Sequence, residues 1–460
     1  MNSPLPDALH HTLSDLLGEG WRTDAESLRR HGQDNSRRHA VPAGVALPSD
    51  ATQVQAIVRA CRAHGVPVVA RGAGTSSTGA AIPYTGSVAV SFERMNRIVR
   101  IEAGDRYAVV EPGVLNGDLQ KALEPLCLFW APDPASADIS TLGGNLACNA
   151  GGPMAVKYGA TRDNVLGLQA VTGTGDLIRC GSVTTKDSTG YDLTHLLVGS
   201  EGTLGLIVEA TLRLLPRPPA RASLRALYTD VGSAAAAVAR VMTQPVAPSM
   251  LEFMDRSCIR LAREVGGADI PDAGALLMIE VDGDAATLPH ALEAVSGAAR
   301  GDGLIALDQA PDEAARTRLW AARKSLSPAL RTIAPGKINE DVVVPVSRIP
   351  ALVAGVETLA AEFDLPIVAF GHAGNGNLHV NLLYDPDDAD QAARARAALP
   401  RLFALTLSLG GTLSGEHGIG VAKRDFMPDA FPPATLEAMR AIKRALDPDG
   451  ILNPGKVLPP

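Results

Sequence analysis

The sequence predicts a mixed helix-and-strand protein of the α+β class, built from two or three domains. Its length of 460 residues is more than one domain usually contains. Short Val-rich segments of strand character alternate with longer segments whose apolar residues recur at helical spacing. A segment rich in proline and arginine at residues 216–222 interrupts this alternation. These observations indicate an N-terminal α/β region, a linker and a second α/β region.

The N-terminal region opens with residues 7–30, which have helical character and belong to a predicted N-terminal helical appendage at residues 1–40. A helix is predicted at residues 52–64, because its apolar residues recur on one face. Other segments are rich in β-branched residues and bounded by turn-forming residues, which is typical of strands. Strands are predicted at residues 45–48, 66–70, 87–91, 107–110, 165–172 and 206–215.

The region beyond the linker contains a second set of strands and helices, recognised by the same two periodicities. Strands are predicted at residues 224–228 and 276–281, and a strand–loop–strand unit at residues 366–384. Helices are predicted at residues 233–243, 350–364 and 434–446.

Composition and charge describe a core-forming protein and exclude several classes. Hydrophobic residues make up 46% of the chain and charged residues 20%, which is typical of globular domains. The formal net charge is −8 and no basic run occurs, so nucleic-acid binding is not expected. The five cysteines are scattered and never spaced as CxxC, which favours reduced thiols over iron–sulfur ligands.

Targeting segments are not apparent in the sequence. Residues 1–20 contain three acidic residues and no lysine or arginine, unlike a signal or transit peptide. No stretch approaches the roughly 18 apolar residues of a transmembrane helix. We therefore expect a cytoplasmic protein without a transmembrane segment, and peripheral contact with a membrane stays open.

A glycine-rich loop follows the predicted strand at residues 66–70. From Arg71 to Gly79 it reads Arg-Gly-Ala-Gly-Thr-Ser-Ser-Thr-Gly. Its glycine spacing does not fit the GxGxxG motif, and no GK[ST] sequence of a P-loop occurs in the chain. Glycines and hydroxyl side chains nevertheless allow a backbone to approach and bind phosphate. Taken alone, this segment fits a phosphate-binding loop and a plain tight turn equally.

Two further glycine-rich segments lie in the same predicted region. Residues 141–152 read Thr-Leu-Gly-Gly-Asn-Leu-Ala-Cys-Asn-Ala-Gly-Gly, and residues 199–207 read Gly-Ser-Glu-Gly-Thr-Leu-Gly-Leu-Ile. Chain turns alone do not require three such loops. Together they predict a long ligand that bears phosphate and is partly apolar.

These three loops resemble those of the FAD-binding domain of the vanillyl-alcohol-oxidase, or PCMH-type, flavoprotein superfamily. The branch that the chain resembles oxidises D-lactate, D-2-hydroxyglutarate and glycolate. The resemblance extends from about residue 48 to residue 456 and includes three more matching segments. These are Glu-Pro-Gly-Val at residues 111–114, Lys-Tyr-Gly at residues 157–159 and Gly-Tyr-Asp-Leu at residues 190–193.

The resemblance implies a domain organisation and a set of cofactor contacts. A PCMH-type FAD-binding domain of two α/β subdomains is expected at residues 41–217. A C-terminal α/β substrate domain with an antiparallel sheet follows at residues 218–410, and residues 411–460 pack back on the FAD domain. Because no histidine occurs between Arg71 and Gly79, we expect FAD to bind non-covalently. The implied FAD contacts are Arg71, Gly72, Ala73, Gly74, Thr75, Ser76, Gly79, Pro134, Ser136, Thr141, Gly143, Gly144, Asn149, Gly151, Glu201, Gly202, Ile207 and Asn453.

Three histidines form a second group of candidate functional residues. His372 and His379 bracket a loop rich in glycine and asparagine, and His417 follows Glu416 in another glycine-rich segment. Two imidazoles and a carboxylate would make a three-ligand site with open positions, as in catalytic metal centres. Their spacing alone does not bring Glu416 to the histidines.

The resemblance assigns roles to these residues. Positions that match His372, His379 and Glu416 bind a divalent metal in this branch, and we expect Zn²⁺ or Mn²⁺ here. The position that matches His417 is the catalytic base, and Asn381 matches a residue beside the substrate.

Two basic residues complete the implied substrate site. Arg323 resembles the arginine that binds the substrate carboxylate, and a guanidinium pairs with a carboxylate through two parallel hydrogen bonds. Lys337 resembles a second carboxylate contact, which is favoured over the alternative of a solvated surface lysine.

The resemblance therefore implies an enzyme that oxidises a small D-2-hydroxy acid to the 2-oxo acid, with D-lactate favoured. Hydride passes to FAD, and a quinone, a cytochrome or an electron-transfer flavoprotein then accepts the electrons. D-2-hydroxyglutarate and glycolate stay open as substrates. A metallohydrolase and a non-catalytic flavin-binding subunit are the alternatives from other classes, and a homodimer is compatible with the sequence.

Overall fold

The computed structural model describes residues 5–265, 267, 269–324 and 326–460, so the first four residues of the predicted appendage lie outside it. The described chain forms two compact units. The first contains the described residues up to Gly151, Gly159–Arg217 and Glu416–Pro460. The second contains Gly152–Tyr158 and Pro218–Gly415.

A four-stranded mixed sheet forms one part of the first unit. Its strands lie in the order Trp21–Arg22, Gly44–Ala46, Val88–Ser91 and Val68–Arg71. The last three run parallel and the first is antiparallel to its neighbour. The helices of this part are Asp7–Leu17, Ala25–His31 and Ala51–Ala63.

The helix Ala51–Ala63 confirms the prediction at residues 52–64. It begins after Asp50, whose carboxylate accepts a hydrogen bond from the backbone N–H of Gln53. Its buried residues share a core with Leu9 and Leu13 of the first helix, so the N-terminal segment contributes to this core. The helical character expected over residues 7–30 is interrupted at Gly18, which has a φ of +51°, and by the strand Trp21–Arg22.

A five-stranded antiparallel sheet forms the other part of the first unit. Its order is Ile98–Glu102, Tyr107–Val110, Leu206–Arg213, Val165–Val171 and Leu177–Gly181. Two short strands, Leu128–Phe129 and Leu215–Pro216, pair nearby. The remaining helices of the first unit are Asn116–Leu123, Leu142–Cys148, Leu193–Leu197, Met427–Ala430 and Pro433–Leu446. The two predicted α/β subdomains are thereby confirmed.

The second unit is built on a seven-stranded sheet, and its strands are antiparallel as predicted. Its order is Leu304–Gln309, Ala220–Tyr228, Ala275–Gly283, Met250–Asp255, Ile367–His372, Asn377–Tyr384 and Gly336–Val343. Its helices are Ala155–Tyr158, Val231–Thr243, Arg256–Glu264, Leu288–Ala299, Glu313–Lys324, Leu326–Ala329, Ile349–Phe363 and Ala389–Ser408.

The linker predicted at residues 216–222 is shorter than expected. Strand pairing stops at Pro216 and resumes at Ala220, which pairs with Gly283. Proline has no N–H to donate to a ladder, and no proline follows Pro219 in this segment. Pro216 and residues 220–222 therefore belong to strands, and the prediction was wrong for them. None of the described helices is long and apolar enough to cross a membrane.

Candidate functional site

The three glycine-rich loops meet in the first unit. A Cβ on Gly72 would lie 2.3 Å from the Oγ1 of Thr141, so only glycine permits the first and second loops to approach this closely. The N–H of Gly199 donates to the carbonyl of Leu146 at 2.9 Å, which joins the third loop to the second. The sequence placed these loops around one ligand, and the structure brings them together.

Five buried polar atoms in or next to these loops lack a hydrogen-bond partner within the described protein. They come from the first loop, the second loop with the residue before it, and the third loop. A buried donor without an acceptor is costly. Phosphate oxygens and ribityl hydroxyls would supply the missing partners, so these residues fit FAD. The atoms are Arg71 Nη1, Ser77 Oγ, Ser140 Oγ, Asn145 Nδ2 and Ser200 Oγ.

A cavity of about 320 Å³ opens beside the first loop. The Nη2 of Arg71 donates to the carbonyl of Arg30 at 3.3 Å, and burial lowers the pKa of Arg71. The sequence did not indicate Arg30 or His31, because the helix Ala25–His31 lies outside every glycine-rich motif. The cavity is lined by Arg30, His31, Arg71, Gly72, Ala73, Ser91, Glu93, Asn96, Gly113, Leu115 and Thr141.

The remaining implied FAD contacts also lie in the first unit, and their contact with the cofactor stays a prediction. Thr141 caps the helix Leu142–Cys148 by accepting from the N–H of Gly144 at 3.2 Å. The Oδ1 of Asn149 accepts from the N–H of Arg162 at 2.9 Å. The other residues in this group are Gly74, Thr75, Ser76, Gly79, Pro134, Ser136, Gly143, Gly151, Gly202 and Ile207.

Glu201 has a structural contact that the sequence did not predict. Its buried carboxylate accepts from the backbone N–H of Ile419 at 2.6 Å and of Gly420 at 2.8 Å. Burial raises the pKa of Glu201 to about 7, although these two donors oppose the rise. Asn453 adds a hydrogen bond from its Nδ2 to the carbonyl of Glu201 at 2.7 Å. Glu201 therefore fixes the segment that follows His417.

The segment of Glu416 and His417 also lies in the first unit, beside the cofactor loops. The Oγ1 of Thr78 donates to the carbonyl of His417 at 3.3 Å. A Cβ on Gly151 would lie 2.9 Å from the Oε2 of Glu416. The Nε2 of His417 lies 3.8 Å from the Oε1 of Glu416. These contacts hold both residues next to the first and second loops.

The two candidate metal-ligating histidines are neighbours in the second unit. His372 ends one strand and His379 lies on the next, and their Nε2 atoms are 3.4 Å apart. Two nitrogens about 2.0–2.1 Å from one Zn²⁺ at tetrahedral angles would lie about 3.4 Å apart. The same distance fits a long N–H···N hydrogen bond. The donor set therefore fits a divalent metal that prefers imidazole.

A buried carboxylate supports His372. The Oε1 of Glu252 contacts the Nδ1 of His372 at 2.5 Å, and its Oε2 accepts from the Nε of Arg323 at 2.7 Å. Burial alone would raise the pKa of Glu252, but the positive charges of protonated His372 and of Arg323 outweigh it and lower this pKa to about 2. The guanidinium of Arg323 lies 4.5 Å from the ring centroid of Phe370. The sequence did not indicate Glu252.

The other substrate residues that the resemblance implies lie on the same face of this sheet. Asn339 pairs with Asn381, and Lys337 lies two residues before Asn339 on its strand. The Nδ2 of Asn381 donates to the carbonyls of Val368 and His379 at 3.2 and 3.0 Å. The Oδ1 atoms of Asn381 and Asn339 have no partner within the described protein. Asn339 is a further candidate that sequence reasoning missed.

Comparison with solved structures identifies the fold. The chain superposes on p-cresol methylhydroxylase with a TM-score of 0.80 at 19% identity, covering 98% of this chain and 97% of the other. A 4-ethylphenol oxidase from Gulosibacter chungangensis also gives a TM-score of 0.80 at 19% identity, with 100% and 99% covered. This likeness shows that the protein has the PCMH-type fold.

Sequence comparison then gives the family. Residues 42–181 match the FAD binding domain, and residues 217–457 match the C-terminal domain of FAD linked oxidases. Glycolate oxidase subunit GlcD of Bacillus subtilis is 38% identical, with 91% of this chain and 89% of the relative covered. D-2-hydroxyglutarate dehydrogenase of Stutzerimonas stutzeri is 36% identical, with 95% of each covered.

A third relative, D-lactate dehydrogenase of Anaerostipes hadrus, is 34% identical, with 88% of this chain and 87% of the relative covered. The chain belongs to the FAD-linked oxidase family. It is an FAD-binding oxidoreductase, which leaves the metallohydrolase alternative without support.

Proposed function

We propose that the protein oxidises a small D-2-hydroxy acid to the 2-oxo acid with FAD and a divalent metal. The observation that carries the proposal is the polar sheet face of the second unit, which presents His372, His379, Asn381 and Lys337 beside Arg323. The three relatives are named for glycolate, D-2-hydroxyglutarate and D-lactate, which are all 2-hydroxy acids.

The proposed metal ligands are His372, His379 and Glu416. The Nε2 atoms of the two histidines already lie 3.4 Å apart, and a carboxylate is a suitable third ligand for Zn²⁺ or Mn²⁺. Bound at these residues, the metal would supply Lewis acidity that lowers the pKa of a substrate hydroxyl.

Arg323 is the proposed partner of the substrate carboxylate. Its Nε donates a hydrogen bond to Glu252, and a guanidinium has four further N–H donors. We assign these terminal nitrogens to the substrate carboxylate, with Lys337 as a second cation. Asn381 would offer its Oδ1 to a donor on the substrate, because its Nδ2 is fixed on two carbonyl groups.

His417 is the proposed base that removes the hydroxyl proton. Its backbone is fixed by Thr78, and Glu201 fixes the two residues that follow Gly418. General-base assistance of this kind is typically worth ~10²–10⁴-fold in rate. Bound FAD supplies the hydride acceptor, and the loops around Arg71, Thr141 and Glu201 would hold it non-covalently.

D-lactate is the favoured substrate within this class. A second carboxylate, as in D-2-hydroxyglutarate, would require another cation on the same sheet face. Arg316 reaches this face, but its guanidinium is already paired with Glu280 at 3.1 Å and with Glu313. Glycolate, which lacks the methyl group of lactate, is the main alternative, because the relative named for it is 38% identical.

A substrate panel tests this proposal. The purified protein would be mixed with D-lactate, L-lactate, glycolate and D-2-hydroxyglutarate in the presence of an artificial dye acceptor. We expect reduction of the dye with D-lactate and little with its L-enantiomer. A strong preference for D-2-hydroxyglutarate would overturn the choice of a monocarboxylate. Inactivity with all four acids would instead favour a flavin-binding subunit that needs a catalytic partner.

We propose a quinone, a cytochrome or an electron-transfer flavoprotein as the electron acceptor, and a cytoplasmic protein that forms a homodimer. Substrate-saturated turnover with each acceptor class in turn would identify the acceptor.

A further inference from the structure

Glu252 is a buried carboxylate for which the proposed reaction has no direct use. It lies on the central strand Met250–Asp255 of the seven-stranded sheet, and its exposed fraction is 0%. A buried carboxylate is strongly unfavourable unless charge and hydrogen bonds compensate it. The partners of Glu252 must therefore supply this charge and these hydrogen bonds.

The two partners of Glu252 engage different oxygen atoms. Its Oε1 lies 2.5 Å from the Nδ1 of His372, and its Oε2 accepts from the Nε of Arg323 at 2.7 Å. Glu252 and His372 are directly opposite each other in antiparallel pairing, so the sheet register itself produces the first contact. Arg323 reaches the carboxylate from the helix Glu313–Lys324 and balances its charge.

This contact determines which nitrogen of His372 carries a proton. An ionised carboxylate only accepts hydrogen bonds, so the Nδ1 of His372 must donate. When His372 is neutral and its Nδ1 carries the proton, its Nε2 has the lone pair, and this atom lies 3.4 Å from the Nε2 of His379. A carboxylate that holds the second nitrogen of a metal-ligating histidine is a recurrent feature of metal sites.

We propose that Glu252 is a positioning residue that holds His372 in the tautomer and orientation required to bind the metal. The inference rests on the proposed function, because it takes His372 to be a metal ligand. It assigns to Glu252 a role in metal affinity, whereas contact with the substrate falls to Arg323.

The test compares Glu252→Gln with the parent protein, both full-length and loaded with FAD. A glutamine cannot accept from Arg323 and His372 with two separate oxygens. Zn²⁺ affinity, measured by competition with a chromophoric chelator, should fall about 10–100-fold. FAD content should stay at the parent level, because the cofactor loops belong to the first unit.

Glu280→Gln is the matched control. Glu280 lies on the same face of the same sheet, with an exposed fraction of 1%, and accepts from Arg316 and Trp320 at 3.1 Å each. The control removes an equally buried, arginine-paired carboxylate that does not contact a histidine. Its Zn²⁺ affinity should stay within about 2-fold of the parent. Equal weakening in both variants would overturn the specific role of Glu252.

The outcomes separate this inference from the proposed function. A parent protein that binds neither Zn²⁺ nor Mn²⁺ would refute the metal site itself. A parent that binds Zn²⁺ tightly, with Glu252→Gln binding equally tightly, would refute the positioning role alone. Should Glu252→Gln not fold, ¹⁵N chemical shifts of His372 in the metal-free parent decide the question. A protonated Nδ1 is expected, and a protonated Nε2 with a bare Nδ1 would contradict the inference.

Discussion

The Oγ1 of Thr78 donates a hydrogen bond to the backbone carbonyl of His417 at 3.3 Å. Thr78 belongs to the first glycine-rich loop, which is expected to contact FAD, and His417 is the proposed base. The N–H groups of Val421 and Ala422 donate hydrogen bonds to the carbonyl of Thr78 at 3.0 and 3.2 Å. The cofactor loop and the segment of the base are therefore one hydrogen-bonded structure.

The first prediction concerns the base. His417→Ala is expected to keep FAD bound, because the contact with Thr78 uses the backbone of residue 417 and does not depend on its side chain. Turnover should fall about 10²–10⁴-fold, the usual contribution of general-base assistance. Stopped-flow mixing with substrate measures the rate at which the flavin absorbance is lost. An unchanged rate would show that His417 is not the base.

The second prediction concerns the pH dependence of stability through Glu201. Burial raises its folded pKa to about 7 from an ordinary value of 4.5. Between these values the folded state binds more protons than the unfolded state, so stability should fall as pH rises. The full effect is about 3 kcal/mol by linkage, reached above pH 7.

Glu201→Gln isolates this effect, since glutamine does not titrate. The variant also loses one hydrogen-bond acceptor, which changes its free energy of unfolding by the same amount at every pH. We expect the free energy of unfolding in urea, with excess FAD, to decline from pH 5 to pH 7 more steeply in the parent than in the variant. Parallel declines in the two proteins would show that Glu201 is already ionised at pH 5.

The third prediction concerns metal removal. A chelator should abolish turnover and leave the flavin absorbance in place, because the histidine pair and the cofactor loops lie in different units. Zn²⁺ or Mn²⁺ added afterwards should restore activity. Metal analysis would confirm that removal is complete. Full activity of this metal-free protein would show that the metal has no part in the mechanism.

Local patterns in the sequence were sufficient for most elements. The strands Ile367–His372 and Asn377–Tyr384 realise the strand–loop–strand unit predicted at residues 366–384. The sequence also predicted that the three glycine-rich loops meet, because their number and composition indicated one shared ligand. Each strand and each loop is marked by residues within a short stretch of chain.

Contacts made by long-range pairing were not predictable in this way. Glu252 lies 120 residues before His372, and only the pairing of their two strands places them together. Glu201 is similarly separated from Ile419 by 218 positions. No local motif marks either carboxylate, since each is a single acidic residue whose partner is set by tertiary structure.

The fourth prediction concerns attachment of the cofactor. No histidine lies between Arg71 and Gly79, so FAD should be held by hydrogen bonds and packing alone. Acid or heat denaturation should release the yellow colour into the supernatant. His31 lines the cavity beside Arg71, so a mass increase on its tryptic peptide is the outcome that would contradict non-covalent binding.

The last prediction concerns the charge of the substrate. Arg323, Lys337 and the proposed metal would all face one carboxylate, and the methyl ester of D-lactate would leave them unmatched. An unmatched buried charge costs at least ~1–3 kcal/mol, so kcat/KM for the ester should be at least ~10-fold lower than for the acid. Arg323→Met should reduce this ratio of acid to ester by slowing oxidation of the acid selectively.

Arg316→Met is the control, because Arg316 lies on the same helix but is paired with Glu280 and Glu313. It should keep the parent ratio of acid to ester. An ester oxidised as well as the acid by the parent protein would refute carboxylate binding at Arg323.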